Sequence, residues 1–192
     1  WNEDNVSAYR NFANKIWNAA RFIFLKAEEF DIDVERYQEL PPHKNWTDFD
    51  HWILGRLSET TENVQSGIIN YRIGDAAAWT YEFIWKEFCD WYIELAKDYL
   101  RPDGEIDKNQ REYTFRVLIF TLKNALKLLH PFMPFITEEL YSYIQDHTPE
   151  QNIDSDKLLI TAPWPDKSWK EMVDGRDECC PQCQCNGYNY TR

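Results

Sequence analysis

Amides, cations and one aromatic side chain gather on one side of the first predicted helix, which covers about residues 5–29. The opposite side is an apolar stripe made of Phe12, Ile16, Ala19 and Ile23. Asn14, Asn18 and Arg21 point away from this stripe, and Phe22 and Lys15 lie along its edge. Because amides bond base edges, rings stack on bases and cations attract phosphates, this face predicts contact with RNA bases and phosphates.

The charge of the chain limits how it could bind RNA. Its 192 residues carry a formal net charge of -12 at pH 7, which argues against nonspecific coating of nucleic acid. A local contact is compatible with this charge, because exposed charges more than about 10 Å apart are largely screened at 0.1 M salt. On a later predicted helix, Arg116, Lys123 and Lys127 are candidate contacts for phosphates.

Caps, prolines and apolar spacing predict an all-α, antiparallel helix bundle. The predicted helices after the first are residues 47–71, 75–100, 108–129 and a short helix that starts at Pro134. Thr47 or Asp48 caps the second helix, and the chain is expected to turn near Gly74. Residues 158–162 are predicted to form a short strand.

The predicted third helix, residues 75–100, is dense in aromatic residues. One stripe along it consists of Tyr81, Ile84, Phe88, Trp91 and Leu95. The wider aromatic set consists of Trp79, Trp85, Phe88, Trp91 and Tyr92. Apolar residues over so much of the circumference predict a central helix, so these rings are assigned to the core and not to a stacking platform.

The composition changes abruptly near residue 174. We expect a helical domain over 1–166 and an irregular tail over 167–192, disordered or non-native. The tail holds four cysteines, Cys179, Cys180, Cys183 and Cys185. A zinc knuckle on Cys180 and Cys183 is one interpretation. Structural zinc sites bring two ligand pairs together across a longer loop, however, and no second pair stands at such a distance, so no metal site is predicted.

Residue patterns typical of catalysis are missing from the sequence. Glu82, Glu87 and Glu94 could suggest a carboxylate di-metal site, but such a bundle needs Glu-x-x-His pairs on two helices. None of the four His residues follows a Glu by three positions. The Ser and Cys residues lack the neighbouring base and the strand-turn-helix context of a hydrolase. No catalytic residue is therefore predicted.

Five segments, taken in order, resemble the anticodon-binding domain of the valyl-tRNA synthetases, which are class I aminoacyl-tRNA synthetases. They are residues 11–22, 50–54, 81–97, 128–140 and 162–165. The resemblance covers about residues 5–166, and the order, spacing and run of aromatic residues are typical of the valine branch. It implies an antiparallel bundle of the class I anticodon-binding type, with the irregular Cys-rich tail outside it.

The resemblance also implies what the chain lacks. The whole enzyme of this family activates valine with ATP and Mg²⁺, transfers it to tRNA and hydrolyses mischarged threonine in a separate domain. The catalytic domain carries a His-Ile-Gly-His-type signature and a Lys-Met-Ser-Lys-Ser-type loop, and neither occurs in this sequence. We therefore expect a piece of a longer enzyme that needs no cofactor of its own and catalyses no ligation.

In this family the first helix largely reads the anticodon. Transferred by motif position, the resemblance implies contacts at Lys15, Asn18, Arg21 and Phe22, with Asn14 as a further candidate. The implied partners are the anticodon stem-loop of valine tRNA and the remainder of the synthetase. We further expect a monomeric, cytoplasmic chain without a membrane segment.

Each of these residues also has a structural interpretation. Lys15 and Arg21 could pair with neighbouring carboxylates, Phe22 could cover the edge of the core, and Asn18 could bond a neighbouring helix. If all of them did so, the chain would be a helical protein-interaction scaffold without RNA binding. Binding to a valine anticodon hairpin, compared with a scrambled loop, distinguishes the two hypotheses.

Overall fold

The computed structural model describes residues 3–30, 32, 40–102, 106–146, 158–165, 169–170 and 173. The described residues contain six α-helices: α1 Glu3–Glu29, α2 Asp48–Ile69, α3 Ile73–Glu82, α4 Ile93–Tyr99, α5 Lys108–Leu129 and α6 Pro134–Asp146. A π-helix, Phe83–Tyr92, joins α3 directly to α4, and short 3₁₀ helices cover His43–Asn45 and Leu159–Thr161. The predicted all-α fold is confirmed.

The third helical rod, formed by α3, the π-helix and α4, runs antiparallel to α2 and parallel to α1. Against α2, the close pairs are Asp50 with Tyr92, Arg56 with Glu87, and Gly67 with Ala76. Against α1, they are Phe12 with Tyr81, Lys15 with Asp90, and Phe22 with Lys97. The rod therefore lies in a groove between α1 and α2, and α5 closes the core behind it.

The apolar stripe of α1 is buried as its spacing predicts. Phe12, Ile16, Ala19 and Ile23 all belong to the central core, and Ile16 and Ile23 are fully excluded from solvent. Burying such side chains stabilises a fold by about 1.5–3 kcal/mol each, which holds the helix to the bundle. The polar side of α1 must consequently face outward.

The N-terminus of α2 is closed by a capping box that reaches into the core. The backbone N–H and the hydroxyl of Thr47 each donate to Asp50 Oδ2 at 2.8 Å, and the Asp50 N–H donates to Thr47 Oγ1 at 3.1 Å. The hydroxyl of Tyr92 donates to Asp50 Oδ1 at 2.5 Å. Asp50 and Tyr92 are both buried, so this network joins the start of α2 to the π-helix.

The π-helix changes which aromatic residues are buried. Phe88 and Tyr92 are in the core as predicted, but Trp91, near the end of the π-helix, is 63% exposed. Tyr81 is 41% exposed, but it lies in α3, before the π-helix begins. The stripe was predicted for an α-helix, which has 3.6 residues per turn. In the π-helix the hydrogen bonds join residue i to i+5, so each turn is wider and the side chains that follow point in other directions than in an α-helix. The assignment of Trp91 to the core is wrong for this reason.

Two local predictions are also wrong. Residues 158–162 contain the 3₁₀ helix Leu159–Thr161 where a strand was expected. The chain turns at Asn70–Arg72 and not near Gly74, which lies inside α3. Tyr71 makes this turn with a φ of 59°, a left-handed conformation uncommon outside glycine.

Three described residues beyond position 166 pack onto the helices. The Trp169 ring lies 5.2 Å from the Phe120 ring, and its indole N–H donates to the Leu54 carbonyl at 3.4 Å. Lys170 pairs with Glu62 at 2.6 Å, and Val173 is buried. The four tail cysteines and the predicted zinc alternative lie outside the described residues.

We expect Tyr92→Phe to lower the free energy of unfolding by about 1–3 kcal/mol, because it leaves a buried carboxylate without one of its donors. Urea unfolding followed by circular dichroism measures the loss. Tyr71→Phe is the matched control, because the Tyr71 side chain is 91% exposed. Equal stability of the two variants would contradict the role given to the Tyr92 hydroxyl.

Asp50 should make the stability depend on pH. Burial raises the pKa of this carboxyl above its usual value of 3.8, against the opposing effect of its hydrogen bonds. The folded chain therefore keeps the proton to higher pH than the unfolded chain. Protonated Asp50 therefore contributes to the free energy of unfolding. This contribution is fully present below pH 3.8, and it is lost as the pH rises through the raised pKa that Asp50 has in the folded chain.

The corresponding measurement compares the natural chain with Asp50→Asn, whose side chain does not titrate. We expect the stability of the natural chain relative to Asp50→Asn to fall as the pH rises above 3.8 and then to level off. Urea midpoints at several pH values give this difference. A difference that does not change with pH would show that the folded and unfolded pKa values of Asp50 are equal.

Candidate nucleic-acid interface

Three of the predicted RNA-binding residues form an exposed ridge on α1. Asn14, Asn18 and Arg21 are all solvent-exposed and lie on the side opposite the buried stripe. The helix holds them on a fixed backbone, and their amide and guanidinium groups are free to meet a ligand from outside. We call these three residues the α1 ridge. Its groups suit hydrogen bonds to base edges and phosphates.

Lys15 lies on the flank of the ridge that faces the π-helix. Its ammonium group pairs with the carboxylate of Asp90 and stands 3.8 Å from the centre of the Trp85 ring. The side chain of Lys15 keeps 23% of its exposure, and that of Asp90 keeps 48%. The pair holds the ammonium in place and partly offsets its charge, while the position remains open to an incoming phosphate.

Phe22 is on the same flank, two turns further along α1 than Lys15. The ring is half-buried against the core, and Nζ of Lys97 on α4 lies 5.6 Å from its centre. Glu94 in turn pairs with Lys97 at 2.5 Å. Phe22 therefore combines a core contact with an outer surface beside a cation. The sequence analysis missed Lys97 and Asp90, because only the packing of two distant helices brings them to the ridge.

The three cations predicted for phosphate contact all lie on α5. Arg116 Nη2 donates to the carbonyl of Leu40, at the connection between α1 and α2, over 3.4 Å. Arg116, Lys123 and Lys127 are half-buried, and each already takes part in an interaction within the chain. The structure thus brings Lys15 and Phe22 to the ridge, whereas the α5 cations belong to a separate helix.

A cleft on the other flank of the ridge was not foreseen. It lies between α1 and α6 and has a volume of about 400 Å³. The lining consists of Trp17, Arg21, Phe24, Leu25, Glu28, Leu140 and Tyr143. Trp17, Phe24 and Glu28 share a flank of α1 by their spacing, which is the one signal in the sequence. Only the fold shows that α6 supplies the facing wall.

Comparison with known proteins assigns this architecture to a class. Residues 50–180 match the family described as the anticodon-binding domain of tRNA ligase. The chain belongs to this family, and the matched residues include most of α2 and all of α3 to α6, whereas α1 lies before them. Among the described residues, no helix combines the length and the hydrophobicity needed to cross a membrane.

Within this class, the similarity is to valine–tRNA ligases. The chain is 42% identical over 164 residues to the Clostridium tetani enzyme, an alignment that covers 85% of this chain and 17% of that protein. It is 43% identical over 151 residues to the Geobacter sulfurreducens enzyme, covering 79% and 16%. For Geobacillus stearothermophilus the identity is 44% over 163 residues, covering 84% and 17%. The chain therefore spans about a sixth of the length of these relatives.

Proposed function

We propose that this chain recognises the anticodon stem-loop of valine tRNA, as the anticodon-binding part of a valyl-tRNA synthetase. The observation that carries the proposal is the α1 ridge, an exposed row of two amides and a guanidinium flanked by Phe22 and Lys15. The longer enzyme would ligate valine to its tRNA in the cytoplasm, with ATP and Mg²⁺ used by a catalytic domain outside this chain.

The chemistry of an anticodon loop fits the ridge. Its bases are unpaired, so their edges can meet Asn14, Asn18 and Arg21, and one base can stack on the outer surface of Phe22. Lys15 and Arg21 are placed to meet phosphates between those bases. Backbone contacts fix the register of the loop, and contacts to base edges supply the selectivity.

The acidity of the chain makes base contacts more important than charge. With a net charge of -12, long-range attraction to RNA is weak, and Asp90 offsets part of the Lys15 charge. A domain of this kind should bind one loop selectively and other RNA poorly. Arg116, Lys123 and Lys127 extend the proposal as phosphate contacts for the stem, and the salt dependence of binding tests them.

We expect filter binding to show preference for a valine anticodon hairpin over a hairpin with a scrambled loop. If only Lys15 and Arg21 meet phosphates, the slope of log affinity against log salt should be about −1.4. If the three α5 cations also meet phosphates of the paired stem, each should add about −0.9, so the slope would be about −4. Equal binding to both hairpins would contradict anticodon recognition and favour the protein-interaction scaffold.

The stacking role of Phe22 is tested by Phe22→Leu, which keeps an apolar side chain against the core. We expect hairpin affinity to fall by about 1–3 kcal/mol, the usual contribution of one stacked base. Phe135→Leu is the control, because the Phe135 ring on α6 is 90% exposed and does not line the cleft between α1 and α6. Similar affinities for the two variants would exclude stacking on Phe22.

Arg21→Ala should weaken hairpin binding without changing the helical content, because the Arg21 side chain is exposed. Circular dichroism and filter binding on the same samples separate the two effects. A loss of helicity would identify Arg21 as a structural residue and not as a ligand contact.

A further inference from the structure

The cleft between α1 and α6 has the shape and lining of a small binding site. Trp17 meets Tyr143 edge-on at 6.2 Å between ring centres, and Phe24 lies 6.0 Å from the same ring. Trp17, Leu25 and Tyr143 are among the exposed large apolar side chains of the bundle. Exposed apolar groups that converge on one concavity mark binding sites more often than structural features.

Two polar side chains line this apolar cleft, and they are complementary. Arg21 donates hydrogen bonds, and the exposed carboxylate of Glu28 accepts them. They lie two turns apart on α1, about 10 Å along the axis, so both long side chains can reach a flat group held between them. A ligand that satisfies both needs an amino donor and an acceptor on one edge of a planar ring.

Arg21 belongs both to the α1 ridge and to the cleft, so a loop lying on the ridge has its neighbouring base next to the opening. Resting on the function proposed above, we infer that the cleft receives one unpaired base of the anticodon loop. Trp17 and Tyr143 provide its stacking surface. Glu28 determines specificity by accepting from the exocyclic amino group of that base.

The genetic code supplies bases of this chemistry. The first two bases of every valine codon are G and U. The anticodon bases that pair with them are cytosine and adenine, and these are the same in every valine anticodon. Each presents an exocyclic amino donor beside a ring-nitrogen acceptor. Uracil, and hypoxanthine (the base of inosine), carry a carbonyl oxygen in place of the amino group. The ring nitrogen beside it carries a hydrogen and donates, so the donor and the acceptor are exchanged. Glu28 would then face a carbonyl oxygen, which it repels.

The experiment measures the affinity of three proteins for three hairpins. The proteins are the natural chain, Glu28→Gln and Glu29→Gln. The hairpins carry the valine anticodon, its cytosine-to-uracil variant and its adenine-to-inosine variant. Glu29→Gln is the matched control, because it removes the same charge one residue away and Glu29 pairs with Lys26 at 2.6 Å.

We expect the natural chain and Glu29→Gln to prefer an amino base at one of the two positions by about tenfold or more. Glu28→Gln should lose that preference, because an amide both donates and accepts and therefore tolerates either edge. A preference that survives in Glu28→Gln would overturn the role of Glu28. If the natural chain binds the valine hairpin no better than a scrambled loop, the proposed function fails, and this inference fails with it.

Trp17→Leu tests the stacking surface separately. We expect it to weaken binding of the valine hairpin by about 5-fold to 150-fold with unchanged helicity, since Trp17 is 36% exposed. Sedimentation of the same proteins tests whether a second copy of the chain fills the cleft instead. If Trp17→Leu alters sedimentation and leaves hairpin affinity unchanged, the cleft is a protein contact and the inference is overturned.

Discussion

The hydrogen bond from the Tyr92 hydroxyl to the buried carboxylate of Asp50 fixes how α2 meets the third helical rod. A carboxylate removed from water is costly unless its oxygens accept hydrogen bonds, and here Thr47 and Tyr92 provide the donors. The rod cannot slide or rotate against α2 without leaving that carboxylate short of a partner. The orientation of the whole π-helix follows from this constraint.

The orientation of the π-helix in turn determines what faces α1. With Tyr92 directed toward α2, Trp85 and Asp90 lie on the side where α1 packs, and they hold the ammonium of Lys15. The apolar stripe of α1 sets the rotation of that helix independently. The ammonium of Lys15 is therefore held in place from two directions, beside a ridge whose backbone position is fixed by the buried stripe.

In the function proposed above, an acidic domain has to bind RNA through local geometry. The net charge of -12 gives no long-range attraction to RNA, so most of the proposed affinity has to come from stacking, from hydrogen bonds to base edges and from the local phosphate contacts of Lys15 and Arg21. This constraint agrees with the outer surface of α1, where polar planar groups stand between Phe22 on one flank and the aromatic cleft on the other. Selectivity would then exceed what charge alone provides, because hydrogen bonds to base edges depend on the identity of the base, whereas stacking accepts any base.

The sequence by itself determined the helices and the core face of α1. The predicted bounds 108–129 match α5, Thr47 caps α2 as expected, and the apolar stripe that starts at Phe12 is buried. These features could be predicted because helix caps and a 3.6-residue period depend on residues that are close together in the chain. Only the tertiary structure decided the exposure of Trp91, the pairing of Lys15 with Asp90, and the wall that Tyr143 adds to the cleft. The exposure of Trp91 depends on a π-helix that the sequence pattern does not predict. The pairing of Lys15 with Asp90 and the place of Tyr143 in the cleft join residues that are far apart in sequence, and local periodicity does not encode such contacts.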